Sequence, residues 1–436
     1  MWGVVRKSWI LAAAMAALPF VRIALPEDTG IALFYSGLIL LTFIVVWAVI
    51  WHFNKDMRGE SNRYKAHTGI FRVISPVTLL FLFICAMSII LSSSSTRFMS
   101  WQRLGAFMLL LTVAGPLLGK DGLRKIRRKA LTMAGWLCVL WSVYYTLLYL
   151  FMMTHYCGPL SQWQWVTAHS VRISMLTGAL AAFGALIAEW RLLALPRPSR
   201  RKWLVYTVNI LSFLVCANVM IVASSRIAIV GFIAGSAAMF LVKWHNPGRI
   251  RKVHIAVMTA IGVFCCVSMI LPMTPIMQVK IHHVEKNGND YLASRRVMWE
   301  ERTREIMTHP LTGTGFANVA SESTGSYGMM PEKRQSGHIE PGSGWLYVFS
   351  ATGLPGFLCF IFLIGMTLLH VCRRDALLTG LLCFFCVHIM AEGYVLSAGS
   401  TMSYMLWLTI GAGMPEFRWH LGLREYGKRI KIIGES

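Results

Sequence analysis

Long apolar runs alternate with short polar connections along most of the chain. An α-helix needs about 20 apolar residues to cross a bilayer core about 30 Å thick, and runs of this length recur throughout the sequence. The sequence predicts about twelve transmembrane helices, which begin near Ser8, Ile31, Ile70, Arg103, Leu131, Arg172, Trp203, Ile227, Val253, Trp345, Ala376 and Ser397. The pattern therefore predicts an all-α, polytopic membrane protein.

The composition agrees with this prediction. Hydrophobic residues make up 56% of the 436 residues and charged residues only 14%, which is far more apolar than a soluble domain. The first apolar run follows Arg6 and Lys7 as a signal peptide would, but no clear cleavage site follows it, so we expect a retained span. Nearly all of the 10 cysteines fall in or beside predicted helices, which predicts neither disulfides nor a zinc site.

The basic residues are distributed unevenly between the two sides of the predicted membrane topology. The formal net charge is +23, and most of the Lys and Arg lie in alternate loops, including residues 120–129, 191–202 and 417–436. Cytoplasmic loops carry such an excess, so both termini are predicted to be cytoplasmic. The basic surface is expected to attract anionic lipid headgroups, and nucleic acid is not a predicted partner.

One connection is much longer than the others. Residues 274–344 join the ninth and tenth predicted helices on the outer, periplasmic side, and a loop of this length is usually functional or disordered. Part of it is predicted to be helical, since apolar residues recur at helical spacing before Pro310 and Gly313. These apolar residues are Leu292, Trp299, Ile306 and Met307.

This loop sets the predicted division of the chain. We expect helices 1–9 within residues 1–273, a periplasmic loop subdomain over 274–344, helices 10–12 within 345–416 and a basic cytoplasmic tail over 417–436. The predicted fold is therefore one membrane domain of about twelve helices with a single large, partly helical periplasmic loop.

Arg226 is the first candidate for binding chemistry. In "ASSRIAIVGF" it lies between two apolar runs, at the predicted outer junction of the seventh and eighth helices. An arginine at membrane depth costs about 3 kcal/mol on insertion scales, so it usually faces a cavity or a partner. The alternative is an arginine whose side chain extends to the outer headgroups. A fixed guanidinium facing outward would suit the phosphates of a lipid-linked donor.

Arg295 and Arg296 in the long loop are further candidates. A tryptophan four residues after Arg295 would place a cation and an aromatic ring on one helix face. The alternative is an ordinary solvated helix whose arginines pair with Glu300, Glu301 or Glu305.

These features together resemble the superfamily of O-antigen ligases and Wzy-type polymerases. The Ser-Arg-x-Ala signature is similar to residues 225–228, and the family's large loop opens with Arg-x-x-x-Trp, here residues 295–299. A His-Pro-Leu-x-Gly-x-Gly element follows at residues 309–315. The resemblance is specific over about residues 205–360 and only topological elsewhere.

The resemblance implies a glycosyltransferase of the GT-C type in the bacterial inner membrane, without a metal or another cofactor. The donor would be a glycan on undecaprenyl diphosphate, held through that diphosphate by Arg226 and Arg295, with Arg296 in reserve. The acceptor hydroxyl could belong to another glycan in a polymerase, to a lipid A core in a ligase, or to a protein side chain. Fixed guanidiniums facing the diphosphate would stabilise the charge of this leaving group.

The catalytic base has three candidates. His338 can accept a proton near neutral pH, but the His-Asn pair of many family members would fall four residues later, on Gly342 and the following serine. Glu340 is the second candidate. The third is Glu392, expected near the outer end of the eleventh helix with His388 one turn deeper on the same face.

Two other functions also fit about twelve membrane spans. A transporter or flippase for a lipid-linked or anionic solute would show paired repeats with discontinuous helices, and the sequence shows no such repeat. A non-enzymatic subunit of an envelope complex would leave Arg226 without a ligand. The sequence therefore favours the transferase.

Overall fold

A computed structural model describes residues 2–25, 27–59, 74–92, 97–155, 160–194, 203–223, 225–243, 293–317 and 342–415. In these parts of the chain the named elements are all α-helices, as predicted. The helices are α1 (Trp2–Ala24), α2 (Glu27–Gly59), α3 (Pro76–Leu91), α4 (Arg97–Val113), α5 (Asp121–His155), α6 (Leu160–Ala194), α7 (Trp203–Val222), α8 (Arg226–Lys243), α9 (Ala293–Thr308), α10 (Gly344–Val371), α11 (Ala376–His388) and α12 (Thr401–Gly413).

All these helices except α9 correspond to a predicted span. The predicted span near Val253 lies outside the described residues, so the number of spans and the division of the chain remain predictions. Helix α5 begins ten residues before the predicted Leu131, because the basic segment that precedes the apolar run is itself helical. Its Asp121 lies in the first turn, where a negative charge stabilises the helix dipole.

Several helices are long and apolar enough to cross a membrane. Within the described residues there are five: Asp28–Ile50, Asp121–Phe151, Leu176–Ala194, Trp203–Val222 and Gly344–Val371. Shorter apolar helices cover Ser8–Ala24, Pro76–Leu91, Arg226–Val242 and Ala376–His388. The chain is therefore a multi-pass membrane protein.

Helix α12 lies inside the bundle, because all of its residues are buried. Its Trp407 contacts Phe107 edge to face, with ring centroids 5.4 Å apart, and Phe360 at 6.0 Å. The Trp407 indole nitrogen donates a hydrogen bond to the Val395 carbonyl at 2.9 Å. Close aromatic packing thus fixes α12 against α4 and α10.

Contacts between helix termini define two ends of the bundle. At the basic end, the Lys129 Nζ on α5 reaches the Ser8 Oγ on α1 at 3.3 Å, and Arg124 Nη1 donates to the Met414 carbonyl beyond α12 at 3.3 Å. At the loop end, the first residue of α12, Thr401, donates from Oγ1 to the Pro19 carbonyl of α1 at 3.1 Å. The candidate site residues in the described parts of the chain lie toward the loop end.

Candidate functional site

Helix α10 is broken at Gly353, close to the loop end. Its φ of 67° lies in the left-handed region, which favours glycine. A Cβ atom here would collide with the carbonyl oxygen of Leu311. The N–H of Leu354 donates to the Pro310 carbonyl at 2.8 Å instead of continuing the helix. The break therefore leaves backbone groups of α10 free to bind the chain that follows α9.

That chain, residues 309–317, is the glycine-rich segment, and it satisfies the carbonyls that the break leaves free. The Ser350 carbonyl accepts the N–H of Thr314 at 2.8 Å. The Ala351 carbonyl would normally pair with residue 355, but this is Pro355, which has no N–H. Gly315 donates to it instead, at 3.2 Å. The His-Pro-Leu-x-Gly-x-Gly element of residues 309–315 is thus held to the broken helix by backbone hydrogen bonds.

The glycine-rich segment also binds the loop-end termini of α3 and α4. Ser92 Oγ donates to the Thr314 carbonyl at 2.8 Å, and Arg103 Nη1 donates to the Ala317 carbonyl at 2.6 Å. Because the segment follows α9 directly, these bonds fix the end of α9 against three other helices.

Arg295 lies near the start of α9 and forms an ion pair with Glu392. Its Nη2 is 2.7 Å from Glu392 Oε1, and its Nη1 makes a longer contact of 3.4 Å with the Gly342 carbonyl. The two side chains are 17% and 21% exposed, so the pair is accessible to water but not fully solvated. The structure therefore brings two predicted site residues together, through a contact that the sequence did not predict.

Glu392 occupies a different position from the one expected. Helix α11 ends at His388, and Glu392 lies in the non-helical connector of residues 389–400, so the two side chains do not share a helix face. The expected arrangement is wrong, because the Ile389 carbonyl accepts the N–H of Gly344 at 2.7 Å and the chain turns there. The Nδ1 atom of His388 pairs instead with the Tyr394 hydroxyl at 2.9 Å.

The Ser-Arg-x-Ala signature combines a buried support with an exposed arginine. Ser225 is 6% exposed and lies so close to Gly178 of α6 that a Cβ on this glycine would collide with it. The Ser225 carbonyl accepts the N–H of Ile229 at 3.1 Å and so begins α8, and Ala228 is fully buried. Arg226 itself is exposed at the first residue of this helix.

The packing of α8 on α11 places Arg226 at the loop end. A Cβ atom on Gly231 would lie 2.9 Å from the Phe384 ring, and one on Gly235 would lie 2.6 Å from the Gly380 carbonyl oxygen. The later glycine of α8 faces the earlier residue of α11, so the two helices are antiparallel. The start of α8 is therefore level with the end of α11. Arg226 therefore lies at the same end of the bundle as the connector that carries Glu392.

The inward face of α9 contains a charged pair, Arg302 with Glu305, that the sequence did not predict. Arg302 and Glu305 are 6% and 7% exposed, and Arg302 Nη1 is 2.6 Å from Glu305 Oε2. The guanidinium carbon lies 6.0 Å from the Tyr347 ring centroid. Burial raises the pKa of the Glu305 carboxyl above its ordinary value, and the charge of Arg302 acts in the opposite direction. The sequence feature that could have predicted this pair is the spacing of Arg302 and Glu305, which are three residues apart and so lie on the same face of a helix.

Four other residues singled out in the sequence are either exposed on α9 or lie outside the described residues. Met307 was expected on the apolar face of α9 but is 76% exposed, because α9 buries the face that carries Arg302 and Glu305 instead. Arg296 is exposed on α9. His338 and Glu340 lie outside the described residues. In the part of the chain that the structure describes, three His, Cys, Asp or Glu side chains do not come together as metal ligands.

Comparison with known proteins gives a match to a family model. A search of curated proteins found no match. Residues 211–361 match a family model described as "O-Antigen ligase", which spans most of α7, all of α8 and α9, and the first part of α10. The predicted resemblance to the O-antigen ligase family is thereby confirmed over residues 211–361, the segment that contains Arg226, Arg295 and the glycine-rich segment.

Proposed function

We propose that this protein is a glycosyltransferase that moves a saccharide from undecaprenyl diphosphate to a hydroxyl acceptor at the periplasmic face of the bacterial inner membrane. The main support is the position of Arg226 and Arg295. Both lie toward the loop end of an apolar bundle, and both fall within the segment that matches the O-antigen ligase family. In this proposal the loop end faces the periplasm and the basic end faces the cytoplasm, as the distribution of cations predicts.

The chemistry of the donor explains the need for arginines. When the bond between the sugar and the diphosphate breaks, negative charge accumulates on the leaving oxygen. A guanidinium keeps its charge and binds phosphate oxygens through two parallel N–H bonds. Arg226 lies at the start of α8, where backbone N–H groups and the helix dipole also favour an anion. Two such arginines, with Arg296 in reserve, would stabilise the leaving group without a metal.

The acceptor side requires a base, and the geometry favours Glu392. Its carboxylate lies 2.7 Å from the arginine proposed to bind the diphosphate, where an acceptor hydroxyl would approach the donor. The family's His-Asn pair would fall on Gly342, whose carbonyl contacts the same arginine at 3.4 Å. His338 and Glu340 remain alternatives in the long loop. Transfer assays with a glycan, a lipid A core and a protein hydroxyl as acceptors would identify which of them receives the saccharide.

The test is glycan transfer by the purified protein, in a membrane mimetic with EDTA and a saccharide on undecaprenyl diphosphate. We expect the wild type to transfer the saccharide, and both Arg226→Ala and Arg295→Ala to lose about 100-fold in rate or more. Arg304→Ala is the matched control, because Arg304 is an exposed arginine on the same helix as Arg295.

Each contrary result has a distinct meaning. Folded wild type that binds the donor but never transfers its saccharide to any acceptor would favour transport of the lipid-linked donor. An equal loss in Arg304→Ala would show that the arginines act through general charge and not through a specific site.

A further inference from the structure

We propose that the Arg295–Glu392 ion pair is a latch that the donor diphosphate opens, and that the released Glu392 then takes the proton of the acceptor hydroxyl. This inference rests on the proposed function, and it adds an order of events to it. The donor must bind before the base is free to act.

The first argument is that two anions would compete for one guanidinium. The Nη2 atom of Arg295 is already bound to Glu392 at 2.7 Å, while the partner of Nη1 among the described residues is the Gly342 carbonyl at 3.4 Å. A diphosphate that engages the guanidinium through two parallel N–H bonds needs the side of the group that the carboxylate occupies. A carboxylate and a diphosphate also repel each other, and partial burial makes this repulsion stronger than in water. Donor binding therefore displaces Glu392.

The second argument is that Glu392 can move while the chain on either side stays fixed. On one side, the Ile389 carbonyl accepts the N–H of Gly344 at 2.7 Å. On the other side, the Val395 carbonyl accepts the indole N–H of Trp407 at 2.9 Å. Glu392 lies between these two anchors, in the non-helical connector of residues 389–400. In the proposal, the Glu392 side chain is displaced from Arg295 while these two backbone anchors keep their hydrogen bonds.

The third argument concerns the reaction. The acceptor oxygen forms a bond to the anomeric carbon as its proton moves to the Glu392 carboxylate. The bond between the anomeric carbon and the diphosphate oxygen breaks, and its electron pair leaves with the diphosphate, whose charge Arg295 stabilises. Before the donor binds, the same carboxylate is occupied by Arg295, whose Nη2 atom lies 2.7 Å from it. Acceptor activation is thereby coupled to the presence of the donor.

The experiment measures donor binding and turnover separately in Glu392→Gln. We expect this variant to bind an undecaprenyl-diphosphate-linked saccharide several-fold more tightly than the wild type, because the competing carboxylate is gone. We expect its turnover to fall by about 100-fold, which is typical for loss of a general base. Glu392→Asp keeps a carboxylate and should retain part of the turnover. Glu300→Gln, at an exposed position on α9, is the control and should change neither quantity.

Each outcome supports or overturns a defined part of the proposal. If wild type transfers the saccharide while folded Glu392→Gln binds donor no more tightly, the latch is wrong and the proposed function stands. If Glu392→Gln binds donor more tightly yet turns over as fast as the wild type, Glu392 is not the base. If the folded wild type transfers nothing to any acceptor, the proposed function fails, and this inference fails with it.

Discussion

The two ends of the bundle each hold an arginine inside the fold, but the partners of these arginines differ. At the basic end, Arg127 of α5 is fully buried. Its three guanidinium nitrogens donate to the carbonyls of Val113 at 2.9 Å, Leu118 at 2.7 Å and Thr112 at 2.8 Å. Two of these carbonyls belong to the last residues of α4, where the helix has no N–H of its own to offer them. Arg127 therefore closes a helix end.

At the loop end, Arg295 has a different kind of partner. Its close contact is a side-chain carboxylate, Glu392, and its contact with a backbone carbonyl is long. A backbone carbonyl cannot leave without unfolding the helix end, whereas a carboxylate on a connector can be replaced by another anion. The comparison indicates that an arginine bound to backbone carbonyls serves the fold, while one bound to an exchangeable carboxylate is available to a ligand.

The largest effect should come from Arg127→Ala. The substitution leaves three buried carbonyls without donors, and each unpaired polar group costs about 1–3 kcal/mol, so we expect a loss of roughly 4 kcal/mol in stability. Thermal unfolding in detergent measures the loss. Lys125→Ala, at an exposed position on the same helix, is the control and should unfold like the wild type. Unchanged unfolding of Arg127→Ala would contradict the structural role given to Arg127.

Arg295→Ala should show the opposite pattern. The ion pair that it removes is partly exposed, and such pairs contribute only about 0–1 kcal/mol, so thermal unfolding should change little. The proposed transfer activity should nevertheless fall by about 100-fold. An Arg295→Ala protein that unfolds as early as Arg127→Ala would remove the distinction between the two ends.

The sequence predicted the helices well, because apolar runs long enough to cross a membrane have few other uses. Arg226 is a candidate because an arginine beside apolar runs usually needs a partner, and Arg295 because a tryptophan follows it four residues later. The binding role of both arginines remains a prediction. The end of α11 was not predictable. The residues after His388 continue the apolar run, and the turn depends on the hydrogen bond between Ile389 and Gly344, which are far apart in the sequence.

The face that α9 buries was also not predictable. Hydrophobic spacing favoured Met307 as a buried residue, yet Met307 is exposed while Arg302 and Glu305 are buried. Because the two opposite charges pair with each other and pack beside Tyr347, they can occupy a buried face that apolar residues would normally fill. The hydrophobic pattern of a helix shows which residues are apolar. It does not show which charged residues form a buried ion pair.

A smaller effect is expected from Gly353→Ala, which tests whether the loop end depends on the broken helix. The new Cβ atom would collide with the Leu311 carbonyl, and the left-handed φ adds strain, so we expect a loss of about 2 kcal/mol in stability. Gly365→Ala lies in the same helix with open space around it, and it should be neutral or slightly stabilising. Thermal unfolding of both variants checks this, and equal behaviour would mean that the glycine-rich segment does not depend on the break.

The smallest effect concerns Glu305, which is buried like Arg127 but lies toward the loop end. Burial raises its pKa in the folded protein above the unfolded value of about 4.3, so the folded state holds the proton to a higher pH. The stability that Glu305 contributes is therefore greatest below the unfolded pKa and declines as the pH rises through the folded pKa. Glu305→Gln cannot ionise and should escape this decline.

Thermal unfolding of the wild type and Glu305→Gln at about pH 4.5 and pH 7 tests this reasoning. We expect the stability of the variant to rise relative to that of the wild type as the pH rises, because the variant has no carboxyl group to ionise at this buried position. Glu300→Gln, at an exposed position, is the matched control and should show no comparable gain. If the stability of Glu305→Gln instead fell relative to that of the wild type as the pH rose, the ionised pair with Arg302 would stabilise the fold by more than burial of the charge destabilises it. Glu305 would then stabilise the fold through its ion pair with Arg302, whereas Arg127 does so through hydrogen bonds to backbone carbonyls.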